Sequence, residues 1–175
     1  MIKLFFYLQK LSIYVTGCPL NIVNGGWQLV RRVKAGSQWH PARDQLLGTD
    51  VYGTFVDDPT IDSTFSREFD SSAVKEFLFA TGDCEKWLIA SRDSVIGGWY
   101  ADEPREIIMS STSSSPYSAK WYRRTSQLED PWVSLTNHHA AIGEGNIVYG
   151  ENNFGSTHAS AVLPIHNGAN VWVRY

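Results

Sequence analysis

The sequence predicts a mainly β fold, α+β only through a few short helices, in a single compact domain whose terminal strands pair. Three observations carry this. Residues 25–32, Gly25-Gly26-Trp27-Gln28-Leu29-Val30-Arg31-Arg32, open the well-patterned region with alternating bulky and polar positions behind a glycine pair. Asn170-Val171-Trp172-Val173-Arg174-Tyr175 closes the chain in the same style. A domain that starts and stops on strands can pair its ends and leave neither frayed. Finally, aromatic residues reach 13% while helical periodicity is scarce, a balance that suits pleated layers over a shared core.

Residues 1–17 form an apolar N-terminal segment, and 18–175 a single β-rich domain. Leu4, Phe5, Phe6, Leu8, Leu11, Ile13 and Val15 dominate the segment. With Lys3 ahead of them they suit a signal remnant or, if retained, a strand that adds to a neighbour's sheet edge. Gln9 and Lys10 break the run, which is too short to span a membrane. Short strand-like runs then recur at 27–33, 51–55, 65–69, 76–80, 86–91, 95–100, 106–110, 119–123, 146–149, 159–163 and 169–175. Gly, Asp, Asn, Pro and Ser fill most of the gaps. Ser91-Arg92-Asp93-Ser94 reads as a hairpin loop. Two helical turns are expected, at 70–77 behind an Asp70 or Ser71 cap and at 104–108 behind Pro104. Ser110 to Pro116 reads as an exposed loop, or as a surface that carries O-linked sugar or meets a partner.

Charge and cysteine content narrow the function classes. The formal net charge of −3 offers no basic footprint, so nucleic acid is not an expected partner. Cys18 and Cys84 either form one bridge or remain two buried thiols. A bridge closing that loop would stabilise the fold by about 4 kcal/mol in the chain-entropy model.

No complete catalytic signature appears: the sequence has no Gly-x-Ser-x-Gly, His-Glu-x-x-His, phosphate-binding loop or Cys-x-x-Cys. Asp83 and Glu85 flank Cys84 and oppose a thiolate. His138 and His139 are adjacent, so on an extended segment they point to opposite faces and cannot share one metal. Calcium fits better, because loops rich in carboxylates and amides supply its oxygen ligands. Glu144, Glu151, Asn152 and Asn153 form one candidate set, and Asp57, Asp58 and Asp62 another. Both compositions are also those of ordinary turns. The run Ala119-Lys120-Trp121-Tyr122-Arg123-Arg124 is read as a strand whose arginines pair with Glu129 and Asp130, or as a stacking surface.

With Cys18, Gly25-Gly26-Trp27 and Val171-Trp172-Val173-Arg174-Tyr175 in view, the chain resembles fibrinogen-like domains, including the intelectin-type lectins. The likeness covers about 20 residues at the two ends. It implies an extracellular β-rich domain that binds sugars or proteins, often through calcium. The middle departs from that pattern: its aspartate-rich calcium loop and paired downstream cysteine are missing, so no ligand set transfers. The expected function is therefore extracellular, non-enzymatic, lectin-like recognition of a glycan or protein, with Trp132, Asn137, His138, His139 and Phe154 at the contact. The alternative is a structural subunit of an extracellular fibre or coat, a homopolymer joined through the N-terminal strand.

Overall fold

The computed structural model describes residues 22–35, 42–96, 103–122, 130–135, 147–149 and 168–175. Its elements are β1 (Gln28–Val33), β2 (Phe65–Ser66), β3 (Glu76–Thr81), β4 (Trp87–Ser91), α1 (Arg92–Val95), β5 (Glu103–Ile107), β6 (Met109–Ser110), β7 (Tyr117–Tyr122), β8 (Trp132–Ser134), β9 (Ile147–Tyr149) and β10 (Ala169–Arg174). They form two antiparallel sheets, ordered β2-β1-β10-β3-β4-β6 and β5-β7-β8-β9. The fold is mainly β, as the alternation predicts. The first and last strands lie side by side, and Gln28 opposes Val173 while Val33 opposes Ala169.

Side-chain alternation sorts the six-stranded sheet into two apolar faces. The cross-strand row Leu29, Trp172, Leu78 and Ile89 falls on one face. Trp27, Ile61, Trp87 and Ile108 cover it. The next row, Val171, Phe79 and Leu88, points the other way and packs against Ile107, Trp121, Val133, Val148 and Tyr149 of the second sheet. Phe79 is the pivot of this inter-sheet core: its ring lies 5.1 Å from Trp121, edge to face, and 5.7 Å from Tyr149. The two sheets thus stack in a sandwich-like arrangement.

A bulge in β1 fixes the directions of its two arginines. Leu29 opposes Trp172, but Arg31 opposes Val171, so Val30 is the extra residue. Its carbonyl accepts from the Arg67 N–H at 3.0 Å, and its side chain joins the inter-sheet core. Downstream of this shift, Arg31 and Arg32 project from opposite faces of one strand.

Several elements differ from expectation. Ser91 to Ser94 is a helix start: the Ser91 hydroxyl accepts from the Ser94 N–H, and α1 follows β4 directly. Residues 104–108 do not turn helically, because all of β5 pairs with β7, and Pro104 is tolerated on that outer strand. The Asp70 carboxylate accepts from the backbone and hydroxyl of Ser72, a local turn that feeds β3 in place of a helix. The expected strand at 51–55 shrinks to a single bridge, Tyr52 to Ser66. Gly53 explains this: its φ is +70°, and a Cβ there would meet the Thr64 carbonyl at 2.5 Å. The run 106–110 splits at Ile108 into β5 and β6. β8 was not foreseen. The expected strand at 159–163 and the segment 1–17 lie outside the described residues. Among those described, no helix is long and apolar enough to cross a membrane.

Phe79→Ala should lower the unfolding free energy by about 3–5 kcal/mol, because its aromatic neighbours lose a shared partner. Urea unfolding followed by tryptophan fluorescence measures it, and a loss below about 1 kcal/mol would contradict the central position given to Phe79.

Candidate functional site

The two arginines of β1 make two contrasting charged centres. Arg31 is fully buried and saturated. Its Nη2 donates to Asp44 Oδ1 at 2.7 Å, its Nε to Asp130 Oδ2 at 3.3 Å, and its Nη1 to the Ser66 hydroxyl and the Arg67 carbonyl. The guanidinium also lies 5.4 Å from the Phe69 ring centre. Each carboxylate is bound further. Asp130 accepts from Tyr149 Oη at 2.8 Å and the Leu46 N–H at 3.0 Å, and Asp44 accepts from the Thr49 and Asp50 N–H groups. One cluster thus joins β1, β2, the 44–50 turn, the chain entering β8, and β9.

The electrostatics follow from burial. Desolvation pulls the Arg31 guanidinium down, but Asp130, Tyr149 and Asp44 outweigh it and hold the group charged. Burial pushes Asp130 up to about 6, against the opposing pull of Arg31. Burial also pushes the Asp44 carboxyl up, yet Arg31 and the Asp50 and Thr49 amides leave it below the usual carboxylate range. Tyr149 is driven well above the phenol range, first by burial and then by Asp130. Such perturbed groups often mark chemistry. Here the donors and acceptors satisfy one another out of reach of solvent, so the cluster is a fastening. Asp130 pairs with Arg31, 99 residues away in sequence. The expected partners Arg123 and Arg124 lie outside the described residues.

Arg32 is equally buried and unsaturated. Its Nε donates to the Ile61 carbonyl at 3.1 Å, while Nη1 and Nη2 have no partner among the described residues. Asn170, opposite it on β10, donates through Nδ2 to the Pro59 carbonyl at 3.1 Å, and its Oδ1 is unpartnered there too. Desolvation lowers Arg32 to about 10, and Asp58 and Asp62 only partly restore it from a distance. The segment 57–62 therefore lies over β1 and β10, held by two side chains that grip its carbonyls.

The same loop begins on an exposed aromatic. Phe55 is 39% exposed and Val51 57%, with Val56 alongside in sequence. The Arg67 guanidinium lies 4.4 Å from the Phe55 ring centre, and the buried Phe65 props that ring edge-on at 5.3 Å. This cation–π pair beside the short outer strand β2 is a preformed surface with both an apolar and a cationic element.

Of the predicted site residues, Asn137, His138, His139, Phe154, Glu144, Glu151, Asn152 and Asn153 lie outside the described residues. Trp132 lies in β8, with Tyr122 opposite. Asp57, Asp58 and Asp62 are exposed. The Asp58 carboxylate accepts from the Thr60 amide and hydroxyl, at 2.8 and 2.7 Å, closing a local turn. No three His, Cys, Asp or Glu side chains converge on a metal position among the described residues. Cys84 is disulfide-bonded, and the only other cysteine in the sequence, Cys18, lies outside the described residues. Sequence reasoning missed Phe55, Arg67, Arg32 and Asn170. The available signal was a charged pair inside a strand pattern, which places one guanidinium on each face whichever face is core.

Comparison with known proteins adds no neighbour: no family model, curated protein or solved structure matches this chain.

The Arg31 cluster makes a signed prediction. Between pH 4 and 6 folded Asp130, raised to about 6, holds a proton that the unfolded chain releases. Its contribution to stability is present below its unfolded value and is lost as pH rises through 6. Relative to Asp130→Asn, the wild-type protein should therefore gain about 1–3 kcal/mol as pH falls from 7 to 4. Asp44, depressed, contributes stability above its unfolded value and loses it at lower pH. Urea titrations of both proteins at pH 7, 5.5 and 4 measure the difference, and a gap that moves the other way would contradict the assignment.

Proposed function

We propose that this chain is an extracellular, non-enzymatic recognition domain that binds glycan or protein ligands in a lectin-like manner, with the Phe55–Arg67 face as its contact surface. The observation that carries this reading is the exposed, stacked Phe55–Arg67 pair beside Val51. An aromatic face packs on the C–H face of a sugar ring or fills a partner's pocket, and the neighbouring guanidinium supplies directed donors. Buried Phe65 fixes the ring beforehand, which reduces the ordering cost on binding. The disulfide at Cys84 supports an oxidising compartment. The charged cluster around Arg31 supports a structural role for the strongest electrostatics of the fold, leaving contact to the surface.

The fibre reading rests on residues 4–15, outside the described residues. Three of the four described sheet edges do not favour it. β2 and β6 are two residues each, and β5 carries Pro104 with Glu103, Arg105 and Glu106.

Phe55→Ser should weaken ligand binding about tenfold or more while shifting Tm by only a few degrees. A glycan array and a panel of extracellular-matrix proteins, probed with wild-type and variant protein, supply the measurement. Undiminished binding by the variant would remove this face from the proposal.

A further inference from the structure

Buried polar groups are almost always paired, and each exception calls for an occupant. Arg32 is the largest exception among the described residues. Its side chain is 0% exposed, and two of its three nitrogens have no partner. Its neighbour across the strand pair, Asn170, is also 0% exposed and offers an unused carbonyl oxygen. The two residues share one sheet face, by the register Arg32 to Asn170. Their remaining atoms grip the same loop, through the Ile61 and Pro59 carbonyls. Open donors and an open acceptor therefore sit together beneath residues 57–62.

We propose that Arg32 and Asn170 form an internal oxyanion site, roofed by the 57–62 loop, that takes a carboxylate flanked by a hydroxyl or ammonium group, as found in sugar acids and amino acids. Three features select this class. The two Nη donors of a guanidinium are coplanar and match the two oxygens of a carboxylate. The guanidinium has no contacting counter-ion among the described residues: Asp58 and Asp62 act on it only through space, and the Asp58 carboxylate is engaged by Thr60. Water would fill hydrogen bonds but leave that buried charge uncompensated, whereas a carboxylate does both. Finally, Asn170 Oδ1 needs a donor, which a plain carboxylate lacks and a flanking hydroxyl or ammonium supplies.

A ligand would enter from the loop side, past the exposed residues of 57–62. Gly168 closes the opposite side, since a Cβ on it would stand 2.9 Å from Arg32 Nη1. The roof is light: Asp57, Asp58, Thr60 and Asp62 are exposed, while Pro59 and Ile61 turn inward. This site is separate from the Phe55–Arg67 face and does not depend on the recognition reading.

The test is a set of ligand titrations read by thermal unfolding and by the Asn170 side-chain amide resonance. The probes are sodium acetate, sodium glucuronate and a uronate-terminated disaccharide, each against sodium chloride at equal ionic strength. Glucuronate should raise Tm saturably, more strongly than acetate, and shift the Asn170 resonance. Arg32→Gln should abolish the response. Asp62→Asn, an exposed change compatible with folding, should tighten glucuronate about two- to fivefold by removing a repelling charge, so the outcome does not hang on the folding of the Arg32 variant. If the disaccharide binds as well as the free acid, the source is a glycan terminus; if only the free acid binds, it is a small metabolite. No saturable response beyond chloride, with an unmoved Asn170 resonance, would overturn the proposal and leave ordered water as the occupant. A response that survives in a folded Arg32→Gln protein would overturn it equally.

Discussion

Antiparallel pairing of β1 with β10 is the constraint on which this structure depends. It brings the two ends of the patterned region together inside the six-stranded sheet, with β2 outside β1 and β3 outside β10. Neither strand is complete without the other, because β10 supplies the cross-strand partner for each face of β1. Trp172 answers Leu29 on the loop-covered face, and Val171 answers Arg31 between the sheets. Arg174 reinforces the junction outside the core. It donates to Glu76 and to the Val23 and Gly25 carbonyls while stacking on Trp27, 4.4 Å from the ring centre.

The same pairing makes the electrostatics. A strand buried on both faces ordinarily carries apolar residues throughout. β1 instead carries two arginines near its centre, one per face, and the protein treats them differently. Arg31 meets two carboxylates, one hydroxyl and one carbonyl drawn from separate stretches of chain, so that its desolvation is offset and the two sheets are tied together. Removing a partner from such a cluster costs more than the cluster adds, since a buried charge is left behind. Arg32 receives one carbonyl and distant carboxylates. That asymmetry, between two identical side chains on one strand, is what separates a fastening from a site.

Much of the architecture was legible. Residues 25–33 and 169–175 announced themselves by alternation and flanking glycine, and both are central strands. Residues 76–80 and 86–91 were read to within a residue or two. Local competition obscured the rest. Ser91 looked like loop and acted as a helix cap, Asp70 looked like a cap and closed a turn, and Pro104 suggested a helix start but sits on an outer strand. The Arg31 cluster was not legible, because Asp130 and Arg31 are 99 residues apart and meet only in the folded protein. Phe55 was hidden for a different reason: it sat in a run read as a strand, which the left-handed Gly53 breaks, turning the ring out to solvent.

If β1 and β10 hold the domain together, the backbone amides of Leu29, Val171, Trp172 and Val173 should exchange with solvent only through global unfolding. Native-state hydrogen exchange under increasing urea tests this directly. These amides are expected to share the highest free energy of exchange in the domain and to converge with the equilibrium unfolding value. Exchange of the β10 amides at lower free energy than those of β3 and β4 would contradict that dependence, showing that the chain ends peel away from a sheet that stands without them.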